Sequence, residues 1–492
     1  MWTFFIAIAA LITGYFLYGR WMERLFEADP KRQTPAFSKE DGVDFQPMPL
    51  WKVFLIEFLN IAGLGPIFGA VLGALYGPMA FLWIVIGCIF MGAVHDYFSG
   101  MLSLRMGGAS IPEVVGKYLG PAGRQAMRIL SLLLLLIVGV AFVAGPADLL
   151  TSYTGGGLVY WLYGIFAYYL LATLLPIDKI IGRVYPIFGI VLMIMALGVA
   201  GAMLLGEFSG SVQMPELHWR HLSNAHYQPE VHLLFPMLFI VISCGALSGF
   251  HSTQAPMMAR TLSNEKEGRM AFYGAMIAEG ILAMIWAMAA MTYFGDVEGL
   301  NREMQIAGHG PAWVVSEICN SWMGKVGGLL ALIGVVACPI STGDTAFRSA
   351  RLILADIFQW DQGAIKNRLM ISIPLFLLAF FMSQLDFTTI WKYLGITNQL
   401  LAVLVLWTIA VYLQRSEKIH WISSIPATFM SVVCSAYLLG APLNQGGLGL
   451  PANWFYPLSI IFGLTLLIIF LYTGRKKAQQ QRVYQYKKSL QS

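Results

Sequence analysis

Residues Glu57–Gly77 read EFLNIAGLGPIFGAVLGALYG, and the centre of that stretch, Ala62-Gly63-Leu64-Gly65-Pro66, decides the fold. The surrounding run is apolar and long enough to cross a bilayer. Its two central glycines weaken helix, and Pro66 removes a backbone donor and crowds the preceding turn. The pattern predicts a helix that stops near Asn60 and restarts near Pro66. Broken backbone is tolerated at membrane depth only inside protein or against a water-filled cavity. There the freed carbonyls can hold a cation, and the N-terminus of the second half-helix can face an anion. A proline-kinked helix with small packing residues is the plainer alternative.

Composition supports a membrane setting. Of 492 residues, 58% are hydrophobic and 12% charged, about half the charge of a soluble domain. The net charge of +5 is spread through short loops, so it does not point to nucleic acid. Five cysteines, Cys88, Cys244, Cys319, Cys338 and Cys434, are scattered without CxxC spacing, which argues against a disulfide framework or a structural zinc site.

Met1–Gly19 is apolar and has no basic residue before it; Arg20 and Arg24 follow it. That suits a retained first crossing with its N-terminus outside better than a cleaved signal peptide. Trp21–Leu50 reads as a polar cytoplasmic loop. Twelve further apolar runs follow, among them Lys52–Tyr76, Val231–Pro256, a long one at Val326–Leu354 and a short one at Leu369–Met382. The expectation is about 13 transmembrane spans near the ~20 residues a bilayer requires. Threaded from an outside N-terminus, all but Arg220, Arg302, Lys325 and Lys392 of the 31 basic residues fall inside or at inner helix ends, as the positive-inside rule asks. The C-terminus is then inside, with a basic tail from residue 474. In the outer loop Gly295–Lys325, PAWVVSEICNSW reads as a short re-entrant or surface helix.

Val231–Pro256 lies five spans after Lys52–Tyr76 and is also interrupted, at SCGALSGFHSTQAP. Two broken segments an odd number of spans apart run in opposite directions, the pointer to an inverted five-plus-five repeat with a site between the breaks. The expected division is a first span and loop (1–50), two five-helix repeats (51–230 and 231–414), two further spans (415–473) and the tail (474–492).

Ionisable and amide groups inside spans usually face the bundle interior. Asp344 sits in ACPISTGDTAFRSARL with Ser341, Thr342 and Thr345, an oxygen-rich patch suited to a hard cation or a proton; a pair with Arg348 is the structural alternative. His95 and Asp96 are adjacent, hence on different helix faces, and are not expected to form one ligand set. His251 follows the second break and can relay protons or simply pack. Glu57 is expected to pair with a basic neighbour, and Glu279 has no evident partner. Asn398-Gln399 can bond a carboxylate or glue helices. His218, His221, His226 and His232 match no metal spacing, and no converging zinc set is visible.

The segments NIAGLGPIFG, GAVHDYFSG, SGFHSTQAPMMAR, ISTGDTAFRSARL and YLGITNQLLA resemble the signature stretches of the carbon starvation CstA family, across about Lys52–Leu413. That family includes peptide-uptake and pyruvate–proton symport proteins and is grouped with the amino acid–polyamine–organocation transporters. The resemblance implies an all-α polytopic protein with a LeuT-type core of ten spans, one span before and two after. It also implies a sodium-type site between the first and eighth core helices, near the Asn60–Gly65 backbone and Ser341/Thr342, with Asp344 able to take a proton in sodium's place. This chain is shorter than the longest family members, which leaves the substrate open. The expected function is secondary active transport across the cytoplasmic (inner) membrane, importing short peptides or a small carboxylate such as pyruvate. Its partners are the lipid bilayer and the substrate; the only cofactor expected is a coupling Na+ or H+. Substrate contacts are expected from Asn60, Gly63, Gly65, Ser243, Gly245, His251, Asn398 and Gln399. Ion coupling is expected from Asp344, Ser341, Thr342, Thr345, His95 and Asp96. A channel or a membrane-embedded metal-dependent enzyme is the alternative; the latter needs His95, Asp96, His251 and Asp344 to converge.

Overall fold

The computed structural model describes residues 1–154, 156–174, 181–219, 222–384 and 387–489, and their regular structure is entirely helical. Arg220 and His221 of the sequence analysis lie outside these residues, as do the Lys392 side chain and those of the tail from residue 475. Helix α1 (Trp2–Phe26) runs past Trp21, so the expected loop starts only after it. The first broken crossing is α2 (Leu50–Ala62), a π-helical turn at Gly65–Gly69 and α3 (Ala70–Ala74). Its two halves meet at 50°. The first half ends at Ala62, two residues later than expected, because Asn60 is still a good enough helix residue and Gly63, at φ 17° and ψ −132°, is where the helix cannot continue.

Next come α4 (Met79–Gly87) and α5 (Ala93–Arg105), joined through a π turn, then α6 (Ile111–Thr154), α7 (Leu158–Leu174) and α8 (Ile181–Ser209). The second broken crossing is α9 (Leu234–Val241) and α10 (Gly249–Ala259). It is followed by α11 (Ala275–Tyr293), α12 (Pro311–Phe358), α13 (Ile365–Met382), α14 (Phe387–Arg415), α15 (Trp421–Gly440) and α16 (Ala452–Ser489). Among the described residues ten helices are long and apolar enough to cross a membrane, and the bent pair α2/α3 adds an eleventh. The remaining runs hold α7 and the halves α9 and α10, which are shorter. PAWVVSEICNSW forms the first part of α12, which turns at Gly324 (φ 60°) before entering the long run. All five cysteines are free.

The two breaks are packed against each other. A Cβ on Gly65 would lie 2.3 Å from both Cβ and Sγ of Cys244, and one on Gly69 would lie 3.0 Å from the Val241 carbonyl oxygen. Only glycine lets the chains approach this closely. Gly245, at φ +88°, supplies the left-handed turn between α9 and α10. Every residue of α10 is buried, so this half-helix is surrounded by protein rather than lipid.

A Cβ on Gly249 would lie 2.2 Å from Asn398 O and 2.5 Å from Ala402 N, both backbone atoms of α14. We expect Gly249→Ala to cost about 1–3 kcal/mol by overpacking and to lower Tm in detergent. Gly201→Ala, whose Cβ would meet nothing within 4 Å, should leave Tm unchanged or raise it. Equal effects of the two changes would contradict the close packing of α10 on α14.

Candidate functional site

The interrupted backbone of α9/α10 is held by side chains. Asn398 Oδ1 accepts a hydrogen bond from Phe250 N (2.7 Å), capping α10, while Asn398 Nδ2 donates to Ser248 Oγ (3.0 Å). Gln399 Nε2 donates to Phe239 O (3.1 Å) and Leu247 O (3.0 Å). From the other side Trp83 Nε1 donates to Ile242 O (2.9 Å). The adjacent amides Asn398 and Gln399 therefore serve peptide groups of the break, one at each half-helix.

Beside the breaks lies a cavity of about 230 Å³. Gly65 and Gly69 wall it from the first break, Val241, Ser243 and Cys244 from the second, Val138 and Phe142 from α6, and Leu394, Gly395 and Asn398 from α14. Of the expected substrate residues, Gly65, Ser243 and Asn398 line it; Asn60, Gly63, Gly245, His251 and Gln399 do not. Asn60 is fully buried, and neither atom of its amide has a hydrogen-bond partner. The cavity rim carries His226, His232, Gln305 and Gln445. Asn301 pins this rim, donating to Leu75 O (3.0 Å) and accepting from Tyr227 N (3.0 Å). His226 stacks near His232 with ring centroids 4.2 Å apart. Burial, then the neighbouring His232, pushes the His226 imidazole down to about 4, so it stays neutral at ordinary pH.

At the opposite end of the core, the loop after α1 closes the bundle. Asp44 is buried between Arg348 (Nη1–Oδ1 3.1 Å) and Arg351 (Nη2–Oδ2 3.7 Å). Burial would raise its carboxyl, but the guanidinium groups of Arg351, Arg348 and Arg260 outweigh that and hold it below the usual carboxylate range. Arg260 lies over the Phe45 ring (4.9 Å), and Met48 N donates to Thr261 O (3.0 Å). The role of Asp44 was missed because an aspartate in a polar loop between apolar runs carries no signal of burial.

Thr342 and the first break touch as expected: Thr342 Oγ1 donates to Leu59 O (3.1 Å). Asp344 is two residues on, which turns it to another face of α12, where Tyr185 OH of α8 donates to Oδ2 (2.6 Å) and Tyr168 OH lies 3.1 Å from Tyr185 OH. The oxygen-rich patch is therefore split. Ser341 and Thr345 hydroxyls return to their own helix, at Cys338 O (2.7 Å) and Thr342 O (2.9 Å). Arg348, the expected partner of Asp344, instead reaches across to Asp44.

A second polar cluster is fully buried. His95 Nδ1 lies 2.7 Å from Asp96 Oδ1, and His251 Nδ1 lies 2.8 Å from Asp96 Oδ2. His251 Nε2 faces Glu279 Oε2 at 3.4 Å. Of the adjacent pair, Asp96 bonds a neighbouring helix as expected of one of them, through His251 of α10, while His95 bonds Asp96 itself and does not line the cavity. The expected convergence with Asp344 fails; no hydrogen bond or ion pair among the described residues joins the two groups. Glu57 does not meet a basic neighbour: both its oxygens are buried without a hydrogen-bond partner, within electrostatic reach of Asp96, His251 and Glu279. The reading that no metal-type set converges is also corrected, since Cys244, His251 and Glu279 bring one ligand atom each to within 4.8 Å of the others. Cys244 and His251 come from the second broken crossing and Glu279 from α11, so linear spacing alone could not show that the three converge.

A family model described as carbon starvation protein CstA matches residues 1–156 and 148–328. An uncharacterized membrane protein of Haemophilus influenzae is 46% identical over 343 residues, 60% of this chain and 92% of that protein. The pyruvate/proton symporter BtsT of Escherichia coli is 26% identical over 355 residues, covering 59% of this chain but only 49% of BtsT. The peptide transporter CstA of Escherichia coli is 23% identical over 582 residues, 88% of this chain and 80% of that protein. Among solved structures, a substrate-bound, outward-open Na+-coupled sialic acid symporter covers 94% of this chain, with a TM-score of 0.52 at 14% identity. That likeness shows the fold, a LeuT-like helical core. The chain is a multi-pass inner-membrane protein of transporter type, and on the matched residues it belongs to the carbon starvation CstA family.

Proposed function

We propose that this chain is a secondary active transporter importing a short peptide or a small carboxylate such as pyruvate, driven by a proton or sodium gradient through alternating access. The observation that carries the reading is the cavity between the two breaks, with loops 210–233 and 295–310 at its rim and the Asp44–Arg348–Arg351 cluster sealing the far end. Residues 51–230 and 231–414 act as the two inverted halves that rock about this cavity, within thirteen crossings whose N-terminus is outside and C-terminus inside.

The cavity lining carries no Lys, Arg, Asp or Glu among the described residues. A substrate carboxylate is then met by peptide N–H groups where the helix restarts after the first break, at Gly65, rather than by a counter-ion. At about 230 Å³ the space lies below the ~300–1,000 Å³ of drug-sized pockets, which supports a small solute. Asp344 with Tyr185 carries a coupling proton, and Thr342 beside Leu59 O is the place for a sodium ion. His95 and Asp96 stay outside this role, because their hydrogen bonds go to one another and to His251. BtsT and CstA relatives, named for pyruvate/proton symport and peptide transport, supply the two substrate classes.

Counterflow in proteoliposomes with labelled pyruvate and dipeptides, with and without a sodium or pH gradient, tests this. We expect saturable exchange of one class and accumulation under one gradient; no exchange of either class would overturn the reading. Asp344→Asn should reduce gradient-driven accumulation at least tenfold while leaving expression and monodispersity intact, and wild-type accumulation would remove Asp344 from coupling. Asp44→Ala leaves Arg348 and Arg351 buried without their carboxylate, a loss of about 3–5 kcal/mol. It should open the cytoplasmic end, read as faster thiol labelling of a cysteine placed at Ser349; unchanged labelling would show that the seal lies elsewhere.

A further inference from the structure

Behind the second break a thiol, a ring nitrogen and a carboxylate converge out of water. The Asp96 carboxylate accepts from Nδ1 of both His95 (2.7 Å) and His251 (2.8 Å). With its proton on Nδ1, His251 presents a bare lone pair at Nε2 toward Glu279 Oε2, 3.4 Å away. Nε2 and both Glu279 oxygens are buried with no well-formed hydrogen bond. Cys244 brings its sulfur to the same point, and the three ligand atoms lie within 4.8 Å of one another. Neither Lys nor Arg forms an ion pair with any of these groups among the described residues. Such a set, out of water, is balanced by a cation, whether a proton held on Nε2 or a metal ion.

We propose that Cys244, His251 and Glu279 bind one divalent transition-metal cation of the zinc, iron(II) or cobalt(II) type. The donors are one sulfur, one nitrogen and one oxygen, which suit a borderline ion; calcium, magnesium and sodium take oxygen ligands. Metal–ligand bonds of about 2.0–2.3 Å place ligand atoms roughly 3.3–3.7 Å apart, so the site closes by side-chain rotation of about 1 Å. Binding releases the thiol proton, and thiolate plus carboxylate then balance the two positive charges. Asp96 is the positioning residue: its bond to Nδ1 fixes the His251 tautomer and aims Nε2 inward, the usual carboxylate–histidine–metal relation. Cys244 also lines the cavity, which gives the ion a way in. Because Cys244 precedes the turn at Gly245, His251 lies on α10 and Glu279 on α11, the ion would pin the second break to its neighbour. The proposal stands independently of the substrate and of the transport direction.

The test uses the full chain in detergent, stripped with a chelator, reloaded with Co2+ or Zn2+, desalted and counted by mass spectrometry of the metal. We expect about one ion per chain, a higher Tm, and for Co2+ a thiolate-to-cobalt absorption band in the near ultraviolet. The band and the ion should be lost in Cys244→Ser and Glu279→Gln but kept in Cys434→Ser. Asp96→Asn should weaken binding about 10–100-fold with the band retained at saturating metal. The band in the unsubstituted protein reports thiolate ligation even where a variant fails to fold. Fewer than about 0.1 ions per chain, an ion without the thiolate band, or equal loading of Cys244→Ser and wild type would overturn the site.

Discussion

No peptide group in the hydrocarbon core can turn to water, and this chain interrupts two helices there. Everything around the cavity follows from how those interruptions are satisfied. The second break is served by side chains from two other crossings, Asn398 and Gln399 of α14 and Trp83 of α4. The first is served at Leu59 O by Thr342 of α12. Each of these bonds ties a broken segment to a continuous one. The breaks are therefore rigid in themselves, and any movement must carry whole helices with them.

The ends of the bundle are closed by different means. At the rim Asn301 holds Leu75 O, and the uncharged His226 lies beside His232. At the far end the seal is ionic, one buried carboxylate between two buried guanidinium groups. A buried ion pair adds little net stability, but separating it is costly.

Two buried polar groups sit on either side of α12 and α10 and do different things. Among the described residues Asp344 accepts from the hydroxyl of Tyr185, itself next to Tyr168. The Asp96–His251–Glu279 group is a bridge across three crossings and more crowded with carboxylates. Its geometry is that of a fastener rather than a gate, since opening it would strand several charged groups at once.

Much of the architecture was legible in the amino-acid sequence. The lipid-crossing runs and the glycines at each break, with Pro66 at the first, are local properties, set by hydropathy and backbone torsion, and they name the interrupted crossings. Asp344, His251 and Asn398 were legible as costly polar groups in apolar runs. Their partners were not. Glu57 looked like an ordinary helix-end acid, Glu279 had no evident mate, Asp44 lay in a loop, and adjacent His95 and Asp96 seemed barred from acting together. Helical periodicity fixes which face a side chain leaves from, but not which neighbouring helix it meets or how its torsions bend. The sequence by itself determined a membrane protein with two broken helices; only the tertiary packing decided that Cys244, His251 and Glu279 share one point, because Glu279 reaches it from α11, a different crossing from the one that carries Cys244 and His251.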